Sequence, residues 1–309
     1  MIAIIFYKRY IICPLFHNFA LFLLFKIKIN NLDFMFGIPE IEKKTFNNHF
    51  INRVVVAGGY NQNRSCTAQR QSLMDRYAET LPLQTDNPQQ QYRINIDVKT
   101  NQTSVDANVS DLDHQLTLRS KNMQKELMMT NANFHYQENG TNYGTSVSFD
   151  QAVQPALTYL QEAGIEQLNV LKLQKINVIG YAIGKQAATE APVPVWQPVS
   201  NLINARLVPQ YEAMRDAVTS IRQHMSNIRL TDGTYTLTIK YGFNVIEKKE
   251  DGSMAKGQVI IDLEIERKSP VAMNAIMDEL TLMHKELYNA FLWSISEEYV
   301  ALMNTGKGA

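Results

Sequence analysis

Side chains able to do acid–base or metal chemistry are thinly spread through this 309-residue chain. From residue 35 onward histidine occurs at His49, His114, His135, His224 and His284, and cysteine only at Cys66. None sits in the His-x-x-x-His or Cys/His spacing that would close a tetrahedral zinc site. No G-x-S-x-G, G-x-x-x-x-G-K-[ST] or G-x-G-x-x-G occurs. Gly58-Gly59 follows a β-branched run and reads as a turn or bulge. Two places remain. Asp262, Glu264 and Glu266 alternate along one stretch and could serve a general base or hold a cation. They fall opposite Val259, Ile261, Leu263 and Ile265, which places them on a wet sheet face. His284 lies four residues after Leu280 and three before Leu287, at the border of a helical apolar stripe. A catalytic His284 would need a sheet carboxylate, Asp262 or Glu264, as its partner. No catalytic residue, cofactor or metal ligand is assigned from these residues, and the expectation is a cofactor-free protein.

The elements that must carry these residues follow from periodicity. Val54 to Val56, then Tyr92 to Lys99, Gln115 to Ser120, Lys125 to Tyr136 and Val170 to Ile183 read as strands, several with one apolar face. Thr103 to Ser110 is a further strand candidate. Ser65 to Glu79 reads as a modest helix, and Leu81 to Gln91, with Pro82 and Pro88, as a loop. Phe149, Val153, Ala156, Leu157 and Leu160 form one helical stripe, with Ser148 or Asp150 as cap and Gly164 as stop. Prolines 192, 194, 198 and 209 around Trp196 forbid regular structure and mark an internal boundary. Beyond it, residues 211–224 favour helix. Tyr235 to Tyr241 and Gln258 to Glu266 alternate as strands around Asp-Gly turns. A long helix is expected from Pro270 to about Asn304, with Ser269 as N-cap.

The fold class is therefore α+β: two antiparallel-sheet halves, each packed by a long amphipathic helix, with a hint of a pseudo-repeat. The first half spans residues 35–186, a Pro-rich linker 187–210, and the second half 211–309. Residues 1–34 are rich in Ile, Phe, Leu, Lys and Asn. Their longest apolar run is 16 residues, Tyr10 to Phe25, short of a membrane span of about 20. They are expected to be a non-native or disordered extension, or at most a weak anchor.

Thirty bases balance thirty acids, which argues against a dedicated nucleic-acid binder. A single body cysteine leaves no internal disulfide, in keeping with a reducing cytoplasm.

Two C-terminal stretches, GQVIIDLEIERKSP and MDELTLMHKELYNAFLWSISEEY, together with HQLTLRSKN, FHYQENGTNYG and LKLQKINVIGY in the middle, resemble the sporadically distributed bacterial family of uncharacterised proteins. The matching positions are Ile260, Ile261, Asp262, Leu280, His284, Phe291 and Ser296, with Asn177 in the last middle strand. The resemblance covers nearly everything from Met35 onward. It implies fold and boundaries and no activity, and it makes His284, Asp262 and Asn177 the candidate site.

Three functions are expected from these observations. The first is a non-enzymatic interaction protein, an adaptor, chaperone-like or defence-associated factor with a protein partner or a homodimer. The second is nucleic-acid binding across two sheets, with Arg93, Lys99, Arg119, Lys121, Lys172 and Lys175 as phosphate contacts, provided they share a face. The third is a hydrolase-like enzyme around His284.

Overall fold

In the computed structural model the described residues are 6–7, 10–11, 35–41, 46, 50–61, 63, 68–97, 102–140, 148–184, 201–208, 223–248 and 254–305. The expected helix over 211–224 lies outside them except for its last two residues, and so do Trp196 and most of the Pro-rich linker.

Apart from a short antiparallel pair, Phe6–Tyr7 with Tyr10–Ile11, the strands among the described residues are β1 (Ile51–Gly59), β2 (Leu83–Asp97), β3 (Gln102–Arg119), β4 (Lys125–Met129), β5 (Asn133–Asn139), β6 (Gln167–Leu168), β7 (Val170–Gly184), β8 (Gln223–Asp232), β9 (Tyr235–Lys248), β10 (Met254–Arg267) and β11 (Val271–Ala272). The α-helices are α1 (Arg70–Arg76), α2 (Phe149–Glu162), α3 (Ile276–Ser294) and α4 (Glu297–Thr305). Nine strands form one antiparallel sheet in the order β8-β9-β10-β7-β1-β5-β4-β3-β2. The chain is α+β.

One sheet stands where two were expected. Strand β10 pairs with β7 over its whole length, from Met254↔Gly184 to Arg267↔Leu171. Strands from before and after the expected Pro-rich boundary therefore share one sheet. The physical reason is β7 itself: fifteen residues long, it would present a bare row of backbone N–H and C=O groups without a partner on each side.

Alternation decides which face is covered. Leu237, Ile239, Tyr241 and Phe243 of β9 are buried together with Val259, Ile261, Leu263 and Ile265 of β10, Leu171, Leu173 and Ile179 of β7, and Val54 and Val56 of β1. Across the rest of the sheet Leu127, Met129, Phe134, Tyr136, Leu116 and Leu118 continue that face. Helix α2 adds Val153, Ala156, Leu157 and Leu160, and α3 adds Leu280, Met283 and Leu287. The expected start of α2 is present as a capping box between Ser148 and Gln151. Gly164 follows at φ +69°, the left-handed conformation that ends a helix at low cost.

Several elements depart from their expected form. Leu81 to Gln91 is strand from Leu83 onward, because its Pro88 falls on an edge strand at a bulge, where a missing N–H costs little. The strand candidates at 103–110 and 115–120 are one strand. Lys125 to Tyr136 is two strands, turned at Thr130–Ala132, where the Thr130 hydroxyl accepts from the Ala132 and Asn133 amides. Pro270 does not open the long helix. Val271–Ala272 first pairs with Gln167–Leu168, and α3 begins at Ile276 with no side-chain cap. That helix also breaks at Ile295, which is extended and bridges Ile203. Ser296 restarts the chain as α4, its hydroxyl accepting from the Tyr299 amide.

Strands β2 and β3 are far longer than their neighbour. Strand β4 pairs only with Leu116 to Arg119. Past a bulge at Pro88/Gln89, nine register pairs, Gln89↔Ser110 to Asp97↔Gln102, run on as a two-stranded ribbon. At 3.3 Å per residue the ribbon is about 27 Å long.

Candidate functional site

Helices α2 and α3 lie on the same face of the sheet, and strand β7 carries polar residues on that face. Its core positions run Leu171, Leu173, Lys175, Asn177 and Ile179, so two polar side chains occupy places that the strand otherwise gives to aliphatics. Lys175 is 6% exposed and Asn177 4%. The amide of Asn177 reaches the Ile261 carbonyl oxygen at 3.4 Å.

Lys175 meets His284. Its Nζ is in hydrogen-bond contact with His284 Nδ1. The first residue of α2, Phe149, closes the group: its ring stacks on the imidazole at 4.1 Å and 25°, and Lys175 Nζ lies 5.2 Å from its centroid. His284 and Phe149 are both half-buried, so the amine sits one side chain beneath the surface. Burial pushes the Lys175 ammonium down to about 7, because a charge is costly in a low-dielectric interior.

The placement of His284 is fixed at the start of α3. Glu279, five residues earlier, is held by Arg267 and by the Tyr235 hydroxyl, both at the β9–β10 end of the sheet. Arg267 also reaches the Tyr235 hydroxyl at 3.4 Å. This cluster ties the first turns of α3 to the sheet and sets the rotation of the helix that aims His284 at β7.

Asp262 is elsewhere. Of the three candidate residues the fold brings His284 and Asn177 to one face and puts Asp262 on the other, where it accepts from Gln174 at 2.7 Å and pairs with Lys240 at 3.3 Å. Glu264 shares that face and pairs with Lys172 at 3.2 Å. The period of two forces this, since Ile261 and Leu263 must point to the core. Neither Asp262 nor Glu264, the sheet carboxylates expected for His284, shares its face, and Lys175 touches it from the sheet.

The open face is a lattice of ion pairs. Lys172 bridges Glu264 and Glu266, and Lys268 also reaches Glu266. Arg119 pairs with Glu126. An open depression of about 440 Å³ lies here, lined among others by Ala57, Gly58, Gly59, His135, Lys172 and Glu264. Of the bases considered for phosphate contact, Lys172 and Lys175 project to opposite faces of one strand, and Arg119 and Lys172 already have carboxylate partners. Among the described residues no group of three or more His, Cys, Asp or Glu converges as a metal site, and no helix is long and apolar enough to cross a membrane.

The ribbon is the other distinctive element. Its register places Gln90, Tyr92, Ile94 and Ile96 opposite Val109, Ala107, Val105 and Thr103. The alternate positions are Gln89, Gln91, Arg93, Asn95 and Asp97 opposite Ser110, Asn108, Asp106, Ser104 and Gln102. By sequence, the first set of pairs holds six apolar residues of eight and the second none of ten. Its base is clamped: Asp86 of β2 is in contact with His114 of β3 at 2.7 Å and accepts from Arg70 of α1 at 2.9 Å. At the bulge, Asp113 accepts from the Asn131 amide at 3.1 Å.

Compared with models of known protein families and with curated proteins, the chain matches none of them.

Proposed function

We propose that the chain is a non-enzymatic interaction protein and that the 89–110 ribbon is its contact element, docking on a second copy of the same chain. The observation that carries this reading is the register of the ribbon, in which four alternate pairs hold six apolar residues of eight and the other five pairs hold none. A two-stranded ribbon is marginally stable in water by itself. Alternation this strict over nine pairs is the mark of a strand pair with one covered face. Among the described residues nothing else joins its ladder beyond the bulge.

Three features favour a second copy. A two-fold contact needs only one patch, because the same surface serves both partners. The whole chain carries no net charge, and within the ribbon Arg93 and Lys99 are balanced by Asp97 and Asp106, so two copies do not repel. Among the described residues strand β2 is also an edge of the sheet, suited to antiparallel pairing across a two-fold axis.

Size sets the strength. A strand pair about 27 Å long and about 10 Å wide offers roughly 300 Å² per copy, well under the roughly 800 Å² of a standard stable interface. Association is therefore reversible and concentration-dependent. Sedimentation velocity over a hundred-fold concentration range tests the reading: the weighted sedimentation coefficient rises with concentration toward that of a dimer. A constant monomer value throughout sinks it.

A further inference from the structure

The depression on the open face of the sheet is independent of the ribbon. We propose that it binds a small organic amine, with the ammonium group on Glu264 and a flat apolar body lying along β1.

The floor supports this first. On the open face β1 presents Val55, Ala57 and Gly59. The register sets His135 and Asn133 of β5 on one side of them, and Gln174 and Lys172 of β7 on the other. Small residues between longer ones leave a trench along the strand. Val55 is 3% exposed, although it alternates with the core residues Val54 and Val56. The depression measures about 440 Å³, a size that suits a small ligand.

Gly59 supports it next. Gly58 is explained by packing, since a Cβ there would lie 2.7 Å from the Phe134 ring and from the Val170 carbonyl oxygen. A Cβ at Gly59 would meet only the side-chain oxygen of exposed Asn133, at 3.2 Å, and the Ala132 carbonyl oxygen at 3.8 Å. The Asn133 side chain can swing away, so packing gives no reason for a bare backbone at this position. A glycine in a strand leaves the backbone open to close approach by a ligand.

The rim selects the charge. Both oxygens of Glu266 are engaged. One is 3.3 Å from the Lys172 ammonium, and the other is 3.1 Å from that of Lys268, in an ion-pair contact without hydrogen-bond alignment. Glu264 is held through one oxygen only, by Lys172 at 3.2 Å. Gln174 donates its amide N–H to Asp262 at 2.7 Å, which leaves its carbonyl oxygen as an acceptor. Glu264 and Gln174 are register partners, so two acceptors stand side by side, and an ammonium group brings the donors that match them. An anion would instead meet the two carboxylates that share Lys172. From β10 to β1 is two strand intervals, about 10 Å, a span covered by an amine that carries an aromatic ring or a short alkyl chain.

The test titrates the full folded chain at pH 7 with phenethylamine and with two probes of similar shape, 2-phenylethanol and 3-phenylpropionate, read by calorimetry and by backbone amide shifts. Phenethylamine is expected to bind saturably with a Kd of about 1 mM or tighter. It should shift the amides of residues 55–59, 133–135 and 170–174. The uncharged and anionic probes should bind at least about ten-fold more weakly, and Glu264→Gln should weaken phenethylamine by a similar factor, because each removes a hydrogen bond between charged groups. Gly59→Val fills the floor without reaching the core and should abolish binding. The proposal is overturned if phenethylamine gives no saturable shift at these residues, if either matched probe binds as tightly, or if Glu264→Gln leaves the affinity unchanged. The three probes are compared on the unaltered chain, so that result stands even if a variant does not fold.

Discussion

Lys175 costs the fold stability at neutral pH, and the cost has a definite pH dependence. In the unfolded chain the amine titrates near 10.5, and in the folded protein near 7. Between these values the unfolded state binds a proton that the folded state does not, so stability rises with pH. Below about pH 7 both states are charged and the full cost of burial applies. Lys175→Met is therefore expected to raise the unfolding free energy at pH 7 by at most about 4 kcal/mol, since each tenfold loss of proton affinity corresponds to about 1.4 kcal/mol. The advantage of the variant should shrink by up to about 1.4 kcal/mol per pH unit toward pH 10. Urea unfolding of both proteins at pH 7, 8 and 9 measures this, and a pH-independent difference would show that Lys175 is not buried as a neutral amine. The residue-scale content of the site is only half legible in the sequence. His284 stands out because it borders a clear helical stripe, and Asn177 because of the family resemblance. Lys175 reads as a surface base, since a charge at an aliphatic strand position hides the alternation that would reveal it. Its parity with Leu171, Leu173 and Ile179 is the available signal. Asp262 enters the candidate site as a sheet carboxylate that could partner His284 and through the family resemblance, and the two-residue period sends it to the other face.

Individual elements are more legible where local chemistry sets them. Helix α2 matches its expected range because stripe, cap and glycine stop all agree. Ser148→Ala removes the side chain that accepts from the Gln151 amide and is expected to cost about 1 kcal/mol, read as a lower thermal or urea midpoint. Elements set by distant partners are not legible. Val271–Ala272 pairs with a segment about a hundred residues earlier, and that pairing delays α3 past Pro270. Ile295 is pulled extended by its bridge to Ile203. Gly242 is another such case. A Cβ there would lie 1.9 Å from the His224 carbonyl oxygen, so β9 needs a glycine where β8 crosses closest. Gly242→Ala should cost about 3 kcal/mol and raise amide exchange selectively in β8. Unchanged exchange across residues 223–232 would contradict the close approach.

For the molecule as a whole, α+β with antiparallel strands is readable from alternation, but the continuity of the sheet is not, because no local feature of β7 or β10 names its partner. The ribbon is in part visible as an alternating stretch, Tyr92 to Lys99, and a further strand candidate, Thr103 to Ser110. What the sequence lacks is their register, which sets the apolar residues of one strand against those of the other. The ribbon leaves the sheet at a bulge and, among the described residues, pairs beyond it only with itself. Replacing residues 90–109 by an Asn-Gly turn should therefore leave the core and its cooperative unfolding intact while abolishing self-association.

The most direct measurement compares two double variants by sedimentation equilibrium. Ile94→Lys with Val105→Lys charges one cross-strand pair on the apolar side of the ribbon. Asn95→Lys with Ser104→Lys adds the same charge to the neighbouring pair on the polar side. The first is predicted to be monomeric at concentrations where the unaltered chain dimerises, and the second to dimerise as the unaltered chain does. Equal dimerisation by both variants, or a monomeric unaltered chain, would contradict the ribbon as the contact element.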